Sequence, residues 1–104
     1  MQEIYINYEE VEWKEANGYP RGTMIKILRE DIEPKTFLLK LPKNFHLEAH
    51  SHTVTEQHLV LEGQYMSNEK IYSKGSYRFL PSRITHGPFT SENGAIILVI
   101  RETQ

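Results

Sequence analysis

Apolar positions along the chain recur with a period of two or in short runs, and turn residues separate these runs. Successive side chains of a strand point to opposite faces, so this pattern predicts strands rather than helices. Eight short strands are typical of an all-β barrel or sandwich. A helical turn is expected only between Tyr8 and Lys14. The predicted strands cover residues 3–7, 24–28, 36–41, 45–49, 56–61, 70–72, 76–80 and 95–100.

The segments between the predicted strands are short turns such as Asn17-Gly18 and Asn93-Gly94, and no linker or internal repeat is apparent. A chain of 104 residues has the length of one ordinary domain, so residues 1–104 are expected to form a single domain with residues 1–20 as an N-terminal extension. The segment Met1 to Asn7 has the pattern of an exposed strand that can pair with the edge of a sheet. We therefore expect a homodimer in which this strand is exchanged.

Composition and charge exclude several classes of function. The 12 basic and 14 acidic residues nearly balance, and no basic stripe accompanies the aromatic residues, so nucleic acid is not an expected partner. The N-terminus has no apolar leader and no apolar run approaches the length of a membrane span, which indicates a cytoplasmic protein without membrane contact. The chain has no cysteine, so a bound metal would need nitrogen and oxygen ligands.

The segment HSHTVTEQHLVLEG, residues 50–63, concentrates candidate metal ligands. His50 and His52 are two residues apart, so on an extended strand both imidazoles point to one face. If Glu56 begins the next antiparallel strand and Gly63 ends it, the Glu56 carboxylate comes back beside the two imidazoles. His86, thirty residues later, would be a fourth ligand. Three imidazoles and one carboxylate suit one divalent Fe, Mn, Ni, Cu, Co or Zn ion and leave two octahedral positions open for water, oxygen or a chelating substrate.

The sequence resembles the cupin superfamily, whose first motif is G(x)5HxH(x)3-4E(x)6G. HSHTVTEQHLVLEG reproduces the two histidines, the glutamate and the final glycine at this spacing, and Asn44 stands where the leading glycine would be. The resemblance implies a cupin double-stranded β-helix, a jelly-roll barrel. It also implies that His50, His52 and Glu56 are metal ligands.

The second cupin motif, G(x)5PxG(x)2H(x)3N, resembles GSYRFLPSRITHGPFT, residues 75–90. Gly75, Pro81 and His86 match, whereas Arg83 replaces a glycine and Thr90 replaces the asparagine. The resemblance makes His86 the remaining ligand. Within cupins the chain is most similar to the zinc-binding C-terminal domain of the anti-sigma factor ChrR and to acetylacetone and dihydroxyacetophenone dioxygenases, through an early tryptophan, IKILRED, VLEG and GSYRFLP.

The ligand set and the resemblance together suggest three functions, of which the first is the leading hypothesis. The first is a dioxygenase-like enzyme that acts on a small diketone or enolate-type substrate. The second is a non-catalytic metal-binding module that senses a small molecule or an oxidant. The third is a metal-dependent isomerase or epimerase, for which His58 is the obvious base. One carboxylate and a divalent ion leave a charge of +1, which favours an anionic ligand.

His58 is the histidine of this segment that the motif does not explain. It shares the phase of Glu56, so it is a candidate for a fifth or replacement ligand, a partner that supports Glu56, a pocket wall or a proton carrier, and we favour the supporting partner or the pocket wall. His46 and Glu48 are expected outside the metal's ligand set, and Glu62 in a hairpin. Aromatic side chains should fill the barrel before they line a pocket, and these are Phe37, Tyr65, Tyr77, Phe79 and Phe89. The sequence does not decide whether the Arg78 side chain is buried or exposed, and Arg83 is expected to be exposed.

Overall fold

The structure is a computed structural model that describes residues 2–103. Nine strands and one short 3₁₀ turn, Tyr8–Glu10, make up its regular structure, which confirms the all-β prediction. The turn lies inside the segment where a helical turn was expected. The strands are β1 (Lys14–Glu15), β2 (Met24–Glu30), β3 (Pro34–Leu41), β4 (Phe45–Leu47), β5 (Thr55–Ser67), β6 (Lys70–Ser73), β7 (Tyr77–Leu80), β8 (Phe89–Ser91) and β9 (Ala95–Glu102).

All strand pairs are antiparallel, and they form two sheets that share β5. The first sheet has the order β1-β2-β3-β9-β5, with β7 paired to the first half of β5. The second half of β5 pairs with β6 and β8, and β8 pairs with β4. One long strand that passes from sheet to sheet therefore closes the barrel.

Gly63 lies inside β5 rather than at its end, so the prediction that it ends a strand is wrong. The register of β5 against β9 shifts between Val60 and Glu62, and Gly63 has a φ of 69°. An added Cβ would collide with the carbonyl oxygen of Gly94 and lie 3.0 Å from the Cα of Ala95. Glycine is needed here because the strand bends while its backbone touches the neighbouring strand.

The ends of the chain and the short strands differ most from the predictions. Residues 2–7 form no strand in this single chain, so the predicted strand at 3–7 is wrong for it, and Met1 lies outside the described residues. Strand exchange in a dimer stays a prediction. The pattern also missed β1 and β8, which have two and three residues and are too short to show an alternation.

Side chains of alternating strand positions fill the barrel. Phe37, Tyr65 and Val60 are at most 2% exposed, and Phe89 is also buried, as predicted for the aromatic members. The expectation for the β7 aromatics is wrong, since Tyr77 and Phe79 are 59% and 49% exposed. β7 presents its other parity to the interior because Arg78 and Leu80 stand opposite His58 and Glu56 of β5.

No helix within residues 2–103 is long and apolar enough to cross a membrane.

Candidate metal centre

The four proposed ligands come from three places that the barrel brings together. Glu56 is the second residue of β5, and His50 and His52 follow β4. His50 and His86 form an antiparallel bridge in which each backbone N–H donates to the other's carbonyl, with N···O distances of 2.9 and 2.8 Å. This bridge joins the two segments that the motifs identified in the sequence.

Three of the four side chains meet in the barrel interior. His50 Nε2 lies 3.0 Å from His52 Nε2, and His52 Nε2 lies 3.2 Å from Glu56 Oε2. All three line a small cavity of about 40 Å³ whose other walls are mostly aliphatic and aromatic. One water needs roughly 10–15 Å³ of such space, so the cavity has room for an ion with one or two small ligands.

His86 is close in the backbone, but its side chain is directed elsewhere. Its Nε2 lies 3.2 Å from the carbonyl oxygen of Pro81, and the ring is not part of the cavity wall. Within residues 2–103, no three or more His, Asp or Glu side chains are arranged around one point as a bound ion would require. His86 would have to turn away from Pro81 to complete such a set.

The chemistry of the other three side chains fits a divalent cation. Glu56 Oε2 is buried and accepts no hydrogen bond, although a buried carboxylate oxygen normally has a partner. His50 Nδ1 lies 2.9 Å from the Glu48 carbonyl oxygen, which can only accept a proton. The neutral ring therefore carries its proton on Nδ1 and keeps the lone pair of Nε2 for the cavity.

Arg101 is a member of the cluster that the sequence analysis missed. It stands opposite Glu56 in the pairing of β5 with β9. Its Nε lies 3.2 Å from Glu56 Oε2, and its Nη2 lies 3.1 Å from His52 Nδ1. The predicted strand stopped at Ile100, but the inward parity of residues 95, 97 and 99 extends to 101. Continuing that alternation by one residue would have identified this arginine.

A directed chain of hydrogen bonds leads to Glu56 from the other side of the barrel. His58 Nε2 lies 2.7 Å from Glu56 Oε1, and His58 Nδ1 lies 2.8 Å from the Tyr65 hydroxyl. Burial raises the pKa of this hydroxyl, and the nearby Arg78 guanidinium opposes that shift. In a neutral His58 ring, Nε2 carries the proton and donates to the Glu56 carboxylate, which can only accept, and Nδ1 accepts from the Tyr65 hydroxyl. The role of His58 stays a prediction, and its contacts are those expected of a partner of Glu56.

The charges of the cluster set its protonation. Burial alone would raise the pKa of Glu56, but the hydrogen bond from His58 and the positive charges around it outweigh burial and lower that pKa. Burial lowers the pKa of His52, and Arg101 adds to this while Glu56 opposes it. Glu56 is therefore a carboxylate at neutral pH and His52 a neutral imidazole. Because Arg101 Nη2 can only donate to His52 Nδ1, the proton of the neutral His52 ring lies on Nε2 and would have to leave that atom before Nε2 could bind a metal.

The two positions at which this chain replaces a glycine of the cupin motifs keep a backbone conformation typical of glycine. Asn44 has a φ of 58° and Arg83 a φ of 62°, both in the left-handed region. The Arg83 side chain is exposed, as predicted, and the backbone N–H of Arg83 donates to the His52 carbonyl oxygen at an N···O distance of 2.6 Å. The replacement of glycine therefore leaves the turn beside His52 intact.

The other residues that the sequence singled out lie outside the cluster. His46 Nε2 contacts Glu48 Oε1 at 2.8 Å, and both side chains are exposed. Glu62 is exposed within β5 and not in a hairpin turn, because β5 continues past it.

The model of a family described as the ChrR cupin-like domain matches residues 1–103. No curated protein matches the sequence significantly. Among solved structures, the chain is similar to a chain in the crystal structure of Rhodobacter sphaeroides SigE in complex with the anti-sigma ChrR. The identity is 24% and the TM-score 0.73, over 92% of this chain and 52% of that one.

A putative dioxygenase from Nostoc punctiforme is 20% identical with a TM-score of 0.84, over 92% of this chain and 35% of the other. The polyketide cyclase RemF from Streptomyces resistomycificus is 17% identical with a TM-score of 0.81, over 100% and 81%. The chain thus spans about half or less of the first two. At these identities the likeness establishes the fold, while the functions of the three neighbours differ.

Proposed function

The chain belongs to the family of ChrR cupin-like domains, and we propose that it binds one divalent transition-metal ion. His50, His52, Glu56 and His86 would be the ligands. The observation that supports this most is the buried Glu56 Oε2, which has no hydrogen bond although two imidazoles and a small cavity lie beside it. Arg101 Nε lies 3.2 Å from this oxygen but makes no aligned hydrogen bond with it. A carboxylate oxygen in the interior without a donor is costly, and a metal ion would complete its environment.

The chain's own residues would hold the ligands in place. His58 fixes one oxygen of Glu56 and leaves the other directed to the histidines. The Phe89 ring lies 5.5 Å from the His50 ring and helps to exclude water from it. Such supporting contacts orient ligands and raise their affinity for a metal. The ion would supply Lewis acidity, which polarises an oxygen ligand and lowers its pKa.

The size of the cavity favours a metal-binding module for a small ligand or oxidant over an enzyme for a diketone. Pockets for organic ligands usually have about 300–1,000 Å³, whereas this cavity has about 40 Å³. The dioxygenase-like enzyme is the second candidate, supported by the similarity to the putative dioxygenase, and it requires the cavity to open. An isomerase is disfavoured because both ring nitrogens of His58 are already engaged.

Metal analysis tests the ligand assignment. We expect the purified wild type to hold about one ion per chain after loading, and His50→Ala and His86→Ala to hold little. His46→Ala is the matched control, because His46 is an exposed histidine outside the cluster. Full metal content in both His50→Ala and His86→Ala would refute the four-ligand assignment.

Oxygen consumption separates the two candidate functions. The Fe(II)-loaded protein is incubated with a panel of 1,3-diketones and hydroxyaryl ketones, and the binding module predicts no uptake above that of His50→Ala. Uptake by the wild type that His50→Ala abolishes would establish the enzyme instead.

A further inference from the structure

The outer face of the first sheet carries a groove that lies apart from the metal cavity. The residues on either side of Leu38 belong to the barrel core, so Leu38 points outward, and Lys26 stands opposite it in the pairing of β2 with β3. Tyr8 and Trp13 of the N-terminal segment line the groove together with these two residues. Its volume is about 630 Å³, within the roughly 300–1,000 Å³ that is usual for sites of organic ligands.

Part of the groove is apolar. Leu38 is 2% exposed, and the half-buried Leu61 and Ile96 line the groove with it. The half-buried ring of Trp13, the one tryptophan of the chain, adds an aromatic surface. An apolar group that covers these side chains removes apolar surface from water, which favours its binding.

Lys26 supplies a buried cation to the groove, since it is 8% exposed. Its Nζ donates to the Tyr8 carbonyl oxygen at 2.9 Å and lies 4.8 Å from the centre of the Trp13 ring. No carboxylate within residues 2–103 forms an ion pair with Lys26, although buried charges are normally paired. A lysine ammonium has three donors, so the single hydrogen bond leaves donors for a ligand.

The other charges of the groove are exposed. Lys74, Glu9 and Glu62 line it, and all three side chains are open to solvent. Water and salt screen such exposed charges, whereas a buried ammonium acts in a medium of lower dielectric constant. An anionic group beside Lys26 is therefore attracted more strongly than Glu9 and Glu62 repel it.

We propose that this groove binds one small amphipathic carboxylate. The carboxylate group accepts a hydrogen bond from Lys26, and the apolar body lies against Leu61, Ile96 and the Trp13 ring. Charge-assisted hydrogen bonds of this kind are among the stronger ones, and the apolar body excludes water from it. The groove and the metal cavity have no lining residue in common, so the two sites are independent.

Trp13 makes binding in the groove directly observable, because it is the one tryptophan of the chain. Its fluorescence is titrated with sodium octanoate, 1-octanol and octylammonium chloride at constant ionic strength. Octanoate should give a saturable change. 1-Octanol has the same apolar body without the charge and should bind at least about 10-fold more weakly, and octylammonium should give no saturable change because Lys26 repels it.

Lys26→Met keeps an unbranched side chain and removes its charge. It should weaken octanoate binding by roughly 10- to 150-fold and leave the binding of 1-octanol unchanged. Lys43→Met is the matched control, because Lys43 is an exposed lysine that does not line the groove. Lys26→Arg keeps the charge and should keep most of the affinity for octanoate.

Nuclear Overhauser effects give a second readout, which also serves if Lys26→Met does not fold. In the wild type, the C2 protons of bound octanoate should contact the ε protons of Lys26. No saturable response to octanoate, equal affinities for octanoate and 1-octanol, full octanoate affinity in Lys26→Met, or the absence of that contact overturns the inference. Each of these results leaves the metal site standing, because no residue of the groove is a proposed metal ligand.

Discussion

The hydroxyl of Tyr65 offers a test of the hydrogen-bond chain that supports Glu56. Tyr65 is 2% exposed and donates to His58 Nδ1 at 2.8 Å. Burial raises the pKa of this hydroxyl, although Arg78 opposes the shift, so the proton stays on the oxygen at neutral pH. Tyr65→Phe removes one oxygen and leaves the ring and its packing, so it creates almost no cavity.

The expected cost follows from the buried acceptor that remains. His58 is 7% exposed, and without Tyr65 its Nδ1 has no donor. An unsatisfied buried polar group costs about 1–3 kcal/mol. For a chain of 104 residues this corresponds to a fall in Tm of about 4–12 °C, taking about 4 °C per kcal/mol.

Urea unfolding of the metal-free protein, followed by far-UV circular dichroism, measures this cost. The midpoint should fall and the slope should stay constant, because the folded packing is unchanged. Tyr77→Phe is the matched control: Tyr77 is 59% exposed and its hydroxyl bonds the side chain of Gln57, so the change should be below about 0.5 kcal/mol. Equal stability of Tyr65→Phe and the wild type would refute the hydrogen-bond chain. Nitrogen-15 NMR supplies a second readout, since neutral His58 should carry its proton on Nε2 in the wild type.

Three further predictions concern the bend, the cavity wall and the N-terminus. Gly63→Ala should lose at least about 2 kcal/mol more than Gly75→Ala in urea unfolding, because both positions have a left-handed φ but only the Cβ at Gly63 meets backbone; equal losses would contradict this. Burial, with a contribution from Glu56, raises the pKa of Tyr19 to about 12. The un-ionised hydroxyl of Tyr19 therefore makes its full contribution to stability below pH 10, and this contribution is lost as the pH rises to 12. The wild type should therefore lose about 2–3 kcal/mol more than Tyr19→Phe over that interval, and parallel stability curves would count against it. In gel filtration the full chain should elute as a dimer and a chain without residues 1–7 as a monomer; a truncated chain that still elutes as a dimer would exclude strand exchange.

Sequence reasoning identified the strands in which several apolar residues alternate with polar ones or follow each other in a run. Such strands are those around Leu39, Val60 and Val99. The motifs also predicted that the segments of His50 and His86 converge, and these two residues form a backbone bridge in the structure. The sequence does not show which alternate side chains of β7 point to the barrel interior, because one set is aromatic and the other consists of Arg78 and Leu80. Only the pairing with His58 and Glu56 decides between them.

The charge of the candidate site could not be read from the motifs either. Arg101 is more than forty residues from Glu56 in sequence and becomes its neighbour through the pairing of β5 with β9. Tyr65 reaches His58 because β5 bends at Gly63, a position the sequence suggested as the end of the strand. Both contacts depend on tertiary pairing rather than on local pattern.

The orientation of the four ligands is most directly tested by a crystal structure of the Co²⁺-loaded protein with anomalous data collected at the cobalt edge. The proposed function predicts one strong peak in contact with His50 Nε2, His52 Nε2 and Glu56 Oε2, with the His86 ring turned from Pro81 to bind the same ion. A peak at other residues, or no peak in this cavity at full cobalt content, would contradict it.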